Sequence, residues 1–175
     1  MDPNPTSPTS PTNPTHPSKA IDVISPIDRI SQMVDQLADI EAIKQLKARY
    51  FRLMDTKQWD AWGEVFTEDA RLQWGESEDD SALGRANIVS FVSQAVDPAV
   101  TCHHGHMPEI EILDADRATG VWAMYDRVDH PEYLLEGYGH YTEEYRKVAG
   151  EWKIHRTKLT RLHREFFRKT ARETS

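Results

Sequence analysis

A single cysteine, Cys102, in 175 residues excludes an intrachain disulfide and fits a reducing compartment. Positive charge is also scarce: 21 lysines and arginines stand against 29 aspartates and glutamates, a net charge of −8. That balance argues against a protein that tracks nucleic-acid phosphates, and it leaves no basic patch for an anionic membrane. No apolar run reaches the length of a membrane-spanning helix. The first residues have neither the basic start nor the apolar core of a signal peptide. A soluble, cytoplasmic protein is expected, with no nucleic-acid or membrane partner.

Residues 1–19 differ in kind from the rest. Pro3, Pro5, Pro8, Pro11, Pro14 and Pro17 recur among serine, threonine and asparagine. No helix can run through them and nothing apolar is available to bury, so the segment reads as a disordered tail. One folded domain is expected over residues 27–167, with 168–175 as a flexible C-terminus.

Ile30, Met33, Val34, Leu37, Ile40, Ile43, Leu46, Tyr50, Leu53 and Met54 recur mainly every three or four residues. This spacing predicts a long amphipathic helical region, interrupted or re-capped at Asp35 or Asp39. A short helix over 58–66 follows, then a strand over 70–74, an acidic loop over 75–81 and a third helix over 84–96. Beyond Val100 the period falls toward two. Residues 107–113, 118–128, 138–148 and 152–163 read as strands joined by turns, which favours an antiparallel meander. The fold class is therefore α+β, with about three N-terminal helices packed on one face of a bent sheet and a concave pocket beneath them.

The run Cys102-His103-His104-Gly105-His106-Met107-Pro108-Glu109-Ile110 holds the densest chemistry. Histidine exchanges protons near neutrality, a carboxylate can orient it, and a phenol can polarise a carbonyl. Tyr50 and Asp55, at the end of the long helix, supply the phenol and the carboxylate. Each has a plainer reading. Tyr50 lies on the apolar stripe of its helix, and Asp55 followed by Gln58 fits an N-cap of the second helix. In a flat strand His104 and His106 share one face and His103 takes the other, but Gly105 can insert a bulge and break the count. The histidines also raise metal binding; no nearby cysteine or glutamate completes a ligand set, so neither metal nor other cofactor is expected. Arg161 falls in phase with Leu159 and His163, and, if buried, needs an anionic or carbonyl partner.

Residues Ile40–Arg52, Asp55, Trp59-Asp60, His103–Ile110, Ala118–Trp122, Tyr141 and Arg161 together resemble the SnoaL-like branch of the NTF2-like superfamily, and within it the bile acid 7α-dehydratases. The resemblance covers about residues 35–167. It implies an NTF2-like cone: a curved antiparallel sheet wrapped by helices around an apolar cavity. It also implies catalytic roles for Tyr50, Asp55, His103 and Arg161. His106, Tyr125, Tyr138 and Tyr141 are expected to bind substrate, with Asp126 and His140 as further candidates to line the cavity.

The expected activity is cofactor-independent dehydration of a small apolar hydroxy-carbonyl compound, steroid-like, terpenoid or polyketide. An isomerase or cyclase using the same site is the nearest alternative, and a non-catalytic binder of apolar ligands is a third. A homotrimer or homodimer is expected, paired through convex sheet surfaces near Val121, Trp122 and Ala123.

Overall fold

Ser25 accepts a hydrogen bond from the Asp28 N–H at 3.1 Å, and Pro26 follows at the first helical position, where its missing N–H loses nothing. In the computed structural model, which describes residues 25–169, the helix these residues open (α1, Pro26–Asp55) runs 30 residues without a break. The interruption expected at Asp35 or Asp39 does not occur. Asp39 instead accepts hydrogen bonds from Lys147 Nζ at 2.7 Å and Trp152 Nε1 at 2.8 Å, tying the helix to the sheet. Two shorter helices follow, α2 (Trp59–Gly63) and α3 (Arg85–Val96). The proline-rich tail and residues 170–175 lie outside the described residues.

Six strands form one sheet: β1 (Phe66–Gln73), β2 (Ser81–Leu83), β3 (Val100–Ile112), β4 (Arg117–Asp129), β5 (Tyr133–Val148) and β6 (Glu151–Arg168). Their spatial order is β2-β1-β6-β5-β4-β3. The last four strands make the expected antiparallel meander. β1 departs from an all-antiparallel sheet, because it pairs parallel to β6 from Phe66↔Ile154 onward. That pairing also ends the second helix early. Phe66 is a buried strand residue rather than its last turn, since it pairs with Ile154 of β6.

β3 begins at Val100, not Met107, so the histidine run lies within a strand. Its bulge falls between His106 and Glu109, where Met107 adopts φ 40°, downstream of Gly105. Gly105 serves close packing instead. A Cβ there would stand 2.7 Å from Phe51 Cε2 and 3.2 Å from Trp122 Cε3, so only glycine lets α1 lie this near the strand.

The core between helices and sheet is built on Ile43, Leu46, Tyr50, Trp62, Phe66 and Ile154, all almost fully buried. Aromatic contacts knit it together: Trp62 meets Phe66 edge-on with ring centroids at 4.9 Å, and Tyr50 meets Trp62 at a tilt at 5.5 Å. Within it sits an ion pair: Lys47 Nζ lies 2.5 Å from Glu143 Oε1, and the two residues are 0% and 1% exposed. Glu143 also accepts from the Tyr145 hydroxyl at 2.5 Å and the Thr157 hydroxyl at 2.8 Å, while the ammonium faces the Tyr141 ring at 3.8 Å and the Tyr50 ring at 4.1 Å. Charges removed from water this completely depend on one another.

Lys47→Ala strands the Glu143 carboxylate and should destabilise the fold by about 3–5 kcal/mol in urea titration. The double change Lys47→Met with Glu143→Leu should recover most of that loss, because it removes both charges and keeps the volume. Gly105→Ala should lower stability by about 1–3 kcal/mol in the same assay, since Phe51 must move to admit the methyl group.

Candidate active site

α1 and β3 meet through one carboxylate. After Asp55 the chain turns away at Lys57, whose φ is 59°, leaving the Asp55 side chain over the outer edge of the sheet. There His103 Nδ1 donates to Asp55 Oδ1 at 2.6 Å and the His103 backbone N–H donates to Asp55 Oδ2 at 2.9 Å. Thr101 Oγ1 adds a third donor at 2.9 Å and itself accepts from Lys57 Nζ at 2.9 Å. Burial opposes ionisation of Asp55, but the hydrogen bonds from His103 and Thr101 and the nearby imidazole outweigh it and hold the carboxyl below its ordinary value. The capping alternative for Asp55 does not hold: the N-cap position of α2 is Gln58, and no side chain caps the helix there. With Nδ1 committed as donor to a carboxylate, the other ring nitrogen, Nε2, is the proton acceptor.

His103 is buried and forms part of the wall of an apolar cavity of about 240 Å³ beneath α1 and α3. Tyr50, Tyr141, Asp126 and Arg161 line the same space, with Met54, Phe91, Val128 and Leu159 among its apolar surfaces. Burial, reinforced by surrounding negative charge, pushes the Tyr50 and Tyr141 phenols above their ordinary value, so both remain protonated donors. Neither hydroxyl makes a hydrogen bond within the described residues. Asp126 is the register partner of His103 across β3 and β4 and forms an ion pair with Arg161 on the cavity wall. Gly137 makes room for that pair, since a Cβ there would stand 2.3 Å from Asp126 Oδ1. The anionic partner that a buried Arg161 requires is thus supplied by the chain itself.

The structure brings together Tyr50, Asp55, His103, Tyr141 and Arg161 and leaves three other candidates outside. His106 is exposed and stacks edge-on with His104, their ring centroids 5.5 Å apart. Tyr125 and Tyr138 face away from the cavity in contact with each other at 5.2 Å, and Tyr125 also meets His104 at 6.0 Å. The reason is alternation. Trp122, Met124, Asp126 and Val128 hold the inner face of β4, which sends Tyr125 outward, and His103 holds the inner face of β3, which sends His104 and His106 outward. His140 pairs with Ala123 and likewise lies outside the cavity lining. Trp122 points inward, donating to the Tyr145 hydroxyl at 2.8 Å, so Val121 and Ala123 carry whatever apolar contact the outer face offers there.

Lys47 and Glu143 escaped the sequence reading, although their phases announce them. Lys47 falls between Ile43 and Tyr50 on the inward stripe of α1, and Glu143 alternates with Tyr141 and Tyr145. A charged residue at an apolar phase was the available signal. Among the described residues no group of three or more His, Cys, Asp or Glu is arranged to hold a metal ion, and no helix is long and apolar enough to cross a membrane.

Comparison with known proteins agrees with this architecture. A probable cyclase of Gibberella zeae is 24% identical over 135 residues, 69% of this chain and 89% of its own. Among solved structures, a putative scytalone dehydratase from Novosphingobium aromaticivorans superposes with a TM-score of 0.71 at 19% identity, over 76% of this chain and 90% of that one. The LinA-type3 hexachlorocyclohexane dehydrochlorinase from Novosphingobium barchaimii gives 0.66 at 19% identity, over 81% and 97%. At such identities the solved structures establish a shared fold. The sequence model of the SnoaL-like domain family matches residues 35–158, most of the chain, and identifies the protein as a member of the SnoaL-like domain family.

Proposed function

We propose that the chain is a cofactor-independent hydro-lyase acting on a small, apolar, cyclic hydroxy-carbonyl compound. The observation that carries this reading is the 2.6 Å Asp55–His103 contact at the wall of an apolar cavity that also holds two protonated phenols. An imidazole held by a carboxylate at Nδ1 is a base at Nε2, and the buried carboxylate stabilises the imidazolium that forms. In the proposed reaction His103 Nε2 removes the proton α to the carbonyl. The C–H electrons pass into the enolate, whose oxygen takes a hydrogen bond from Tyr50 or Tyr141. Collapse of the enolate forms the C=C bond and breaks the C–O bond at the β-carbon. The leaving hydroxide takes the proton from His103 and departs as water, so the base returns to its starting state.

The ion pair with Asp126 changes what Arg161 offers. A guanidinium already neutralised by a carboxylate has donors left for a hydroxyl or carbonyl oxygen and little excess charge for an anion. The size of the cavity narrows the substrate further. An apolar cavity of about 150 Å³ takes a benzene-sized guest. The 240 Å³ here therefore matches a one- or two-ring skeleton, a monoterpenoid or a short aromatic polyketide, rather than a four-ring steroid.

The 24% identity to a probable cyclase keeps cyclisation as a second reading, because the same base and donors generate the same enolate. Incubation with one- and two-ring β-hydroxy ketones, followed by mass spectrometry, separates the cases. Loss of one water supports the proposal. An unchanged mass with a new skeleton or shifted double bond supports the cyclase or isomerase, and binding without any product leaves a non-catalytic binder.

On a substrate so identified, His103→Ala should lower kcat by on the order of 10²–10⁴-fold. Tyr50→Phe should lower kcat by about 10²-fold with little change in ligand affinity, since it removes one donor to the developing oxyanion and almost no apolar area. His103→Ala with full activity would remove the mechanism.

Asp55 gives a pH-dependent signature in the folded protein without any substrate. Its folded carboxyl is depressed, so its contribution to stability is fully present above the ordinary carboxylate value near 3.8 and is lost as pH falls through the lower folded value. Urea midpoints measured from pH 5 downward should decline less steeply in Asp55→Asn than in the wild type.

A further inference from the structure

The first half of α1 is unlike the rest of the chain's apolar surface. Asp39, through Lys147 and Trp152, is the first α1 residue hydrogen-bonded to the sheet, and every residue from 26 to 38 before it is exposed. That makes about 20 Å of exposed helix. Its exposed face nevertheless carries Ile27 at 78%, Ile30 at 62%, Met33 at 57%, Val34 at 58% and Leu37 at 63% exposure. So many large apolar side chains on one short helical segment mark an interaction surface rather than scattered exposure.

Their spacing indicates what covers them. Ile27, Ile30, Val34 and Leu37 follow intervals of three, four and three, the seam pattern of paired helices. The positions flanking that seam are Ser31, Met33, Ala38 and Ile40, none of them charged. Two identical helices can therefore meet along it without opposing like charges, which is the condition for self-pairing. The charges of the segment, Asp28, Arg29 and Asp35, sit away from the seam. They sum to a negative value, which disfavours an anionic lipid surface as the occupant.

We propose that residues 26–38 of α1 form a self-association seam that pairs with the same segment of a second copy of this chain through Ile27, Ile30, Val34 and Leu37. The seam is separate from the cavity and from the outer sheet face near Val121 and Ala123, so it adds a second assembly surface to the molecule. It stands whatever reaction the cavity performs.

The test uses the full chain in sedimentation at micromolar concentration. The wild type should run at a multiple of the 20.2 kDa chain mass, and Ile30→Glu with Leu37→Glu should run at half that multiple or less. Ala123→Glu, on the outer sheet face, should leave the α1 pairing in place and so remain larger than a single chain. Because every residue from 26 to 38 is exposed on the single chain, the α1 variant should keep a cooperative urea transition, which shows that lost assembly is not lost folding. As an independent measurement, Ile30→Cys with Val34→Cys in a Cys102→Ser background should give a disulfide-linked dimer under mild oxidation, since facing seam positions bring their Cα atoms within bridging distance. A monomeric wild type, a glutamate variant of unchanged mass, or no cross-link would each overturn the proposal, including where the stripe proves to bind a different protein.

Discussion

The arrangement of the candidate site depends on where α1 ends. Tyr50 and Asp55 are five residues apart, which on a helix of 3.6 residues per turn sets them roughly 140° apart. Tyr50 is thereby directed into the space between helix and sheet, and Asp55 toward the sheet's outer edge. Among the described residues β3 is that edge strand, and no strand pairs with its outward N–H groups. Asp55 supplies the missing acceptor for the His103 N–H and, with its other oxygen, holds the imidazole of the same residue. One carboxylate thus closes the sheet edge, fixes the helix terminus and selects the histidine tautomer. Structure and chemistry are not separable there.

Around that contact the cavity combines two environments. Its apolar lining raises the two phenols and keeps them as donors, while His103 is partnered within the chain by Asp55 and Arg161 by Asp126. The Lys47–Glu143 pair repeats the pattern one layer further in, behind the Tyr50 and Tyr141 rings. A low-dielectric site strengthens each of these attractions and penalises any partner left alone. That is why the groups occur as pairs and why removing one member is expected to be worse than removing both.

Much of the fold was legible in the chain. The three-and-four spacing gave the helix, the two-residue period gave the meander, and the stretches Ile40–Arg52, His103–Ile110 and Ala118–Trp122 gave the resemblance to the family, which in turn pointed to Tyr50, Asp55, His103 and Arg161. The misplacements share a cause. Helix α2 is shorter and β1 longer than the spacing predicts, because Phe66 carries helical phase in the sequence but is captured by β6 from far along the chain. His106, Tyr125 and Tyr138 were set in the cavity on residue type, whereas alternation from His103 and Asp126 sends them to the other face. Asp39 looked like a helix breaker and is a tether to Lys147 and Trp152.

By itself the sequence determined what is local: periodicity, the absence of disulfides, the negative balance, and which residue types were available to move a proton. Tertiary structure alone decided which of three neighbouring histidines is held by a carboxylate 48 residues away, that Arg161 is neutralised by Asp126, and that Lys47 finds Glu143. The physical reason is that charge pairing and burial depend on distances set by strand register and helix packing. Those distances exist only once segments remote in the chain have come together, and no local pattern encodes them.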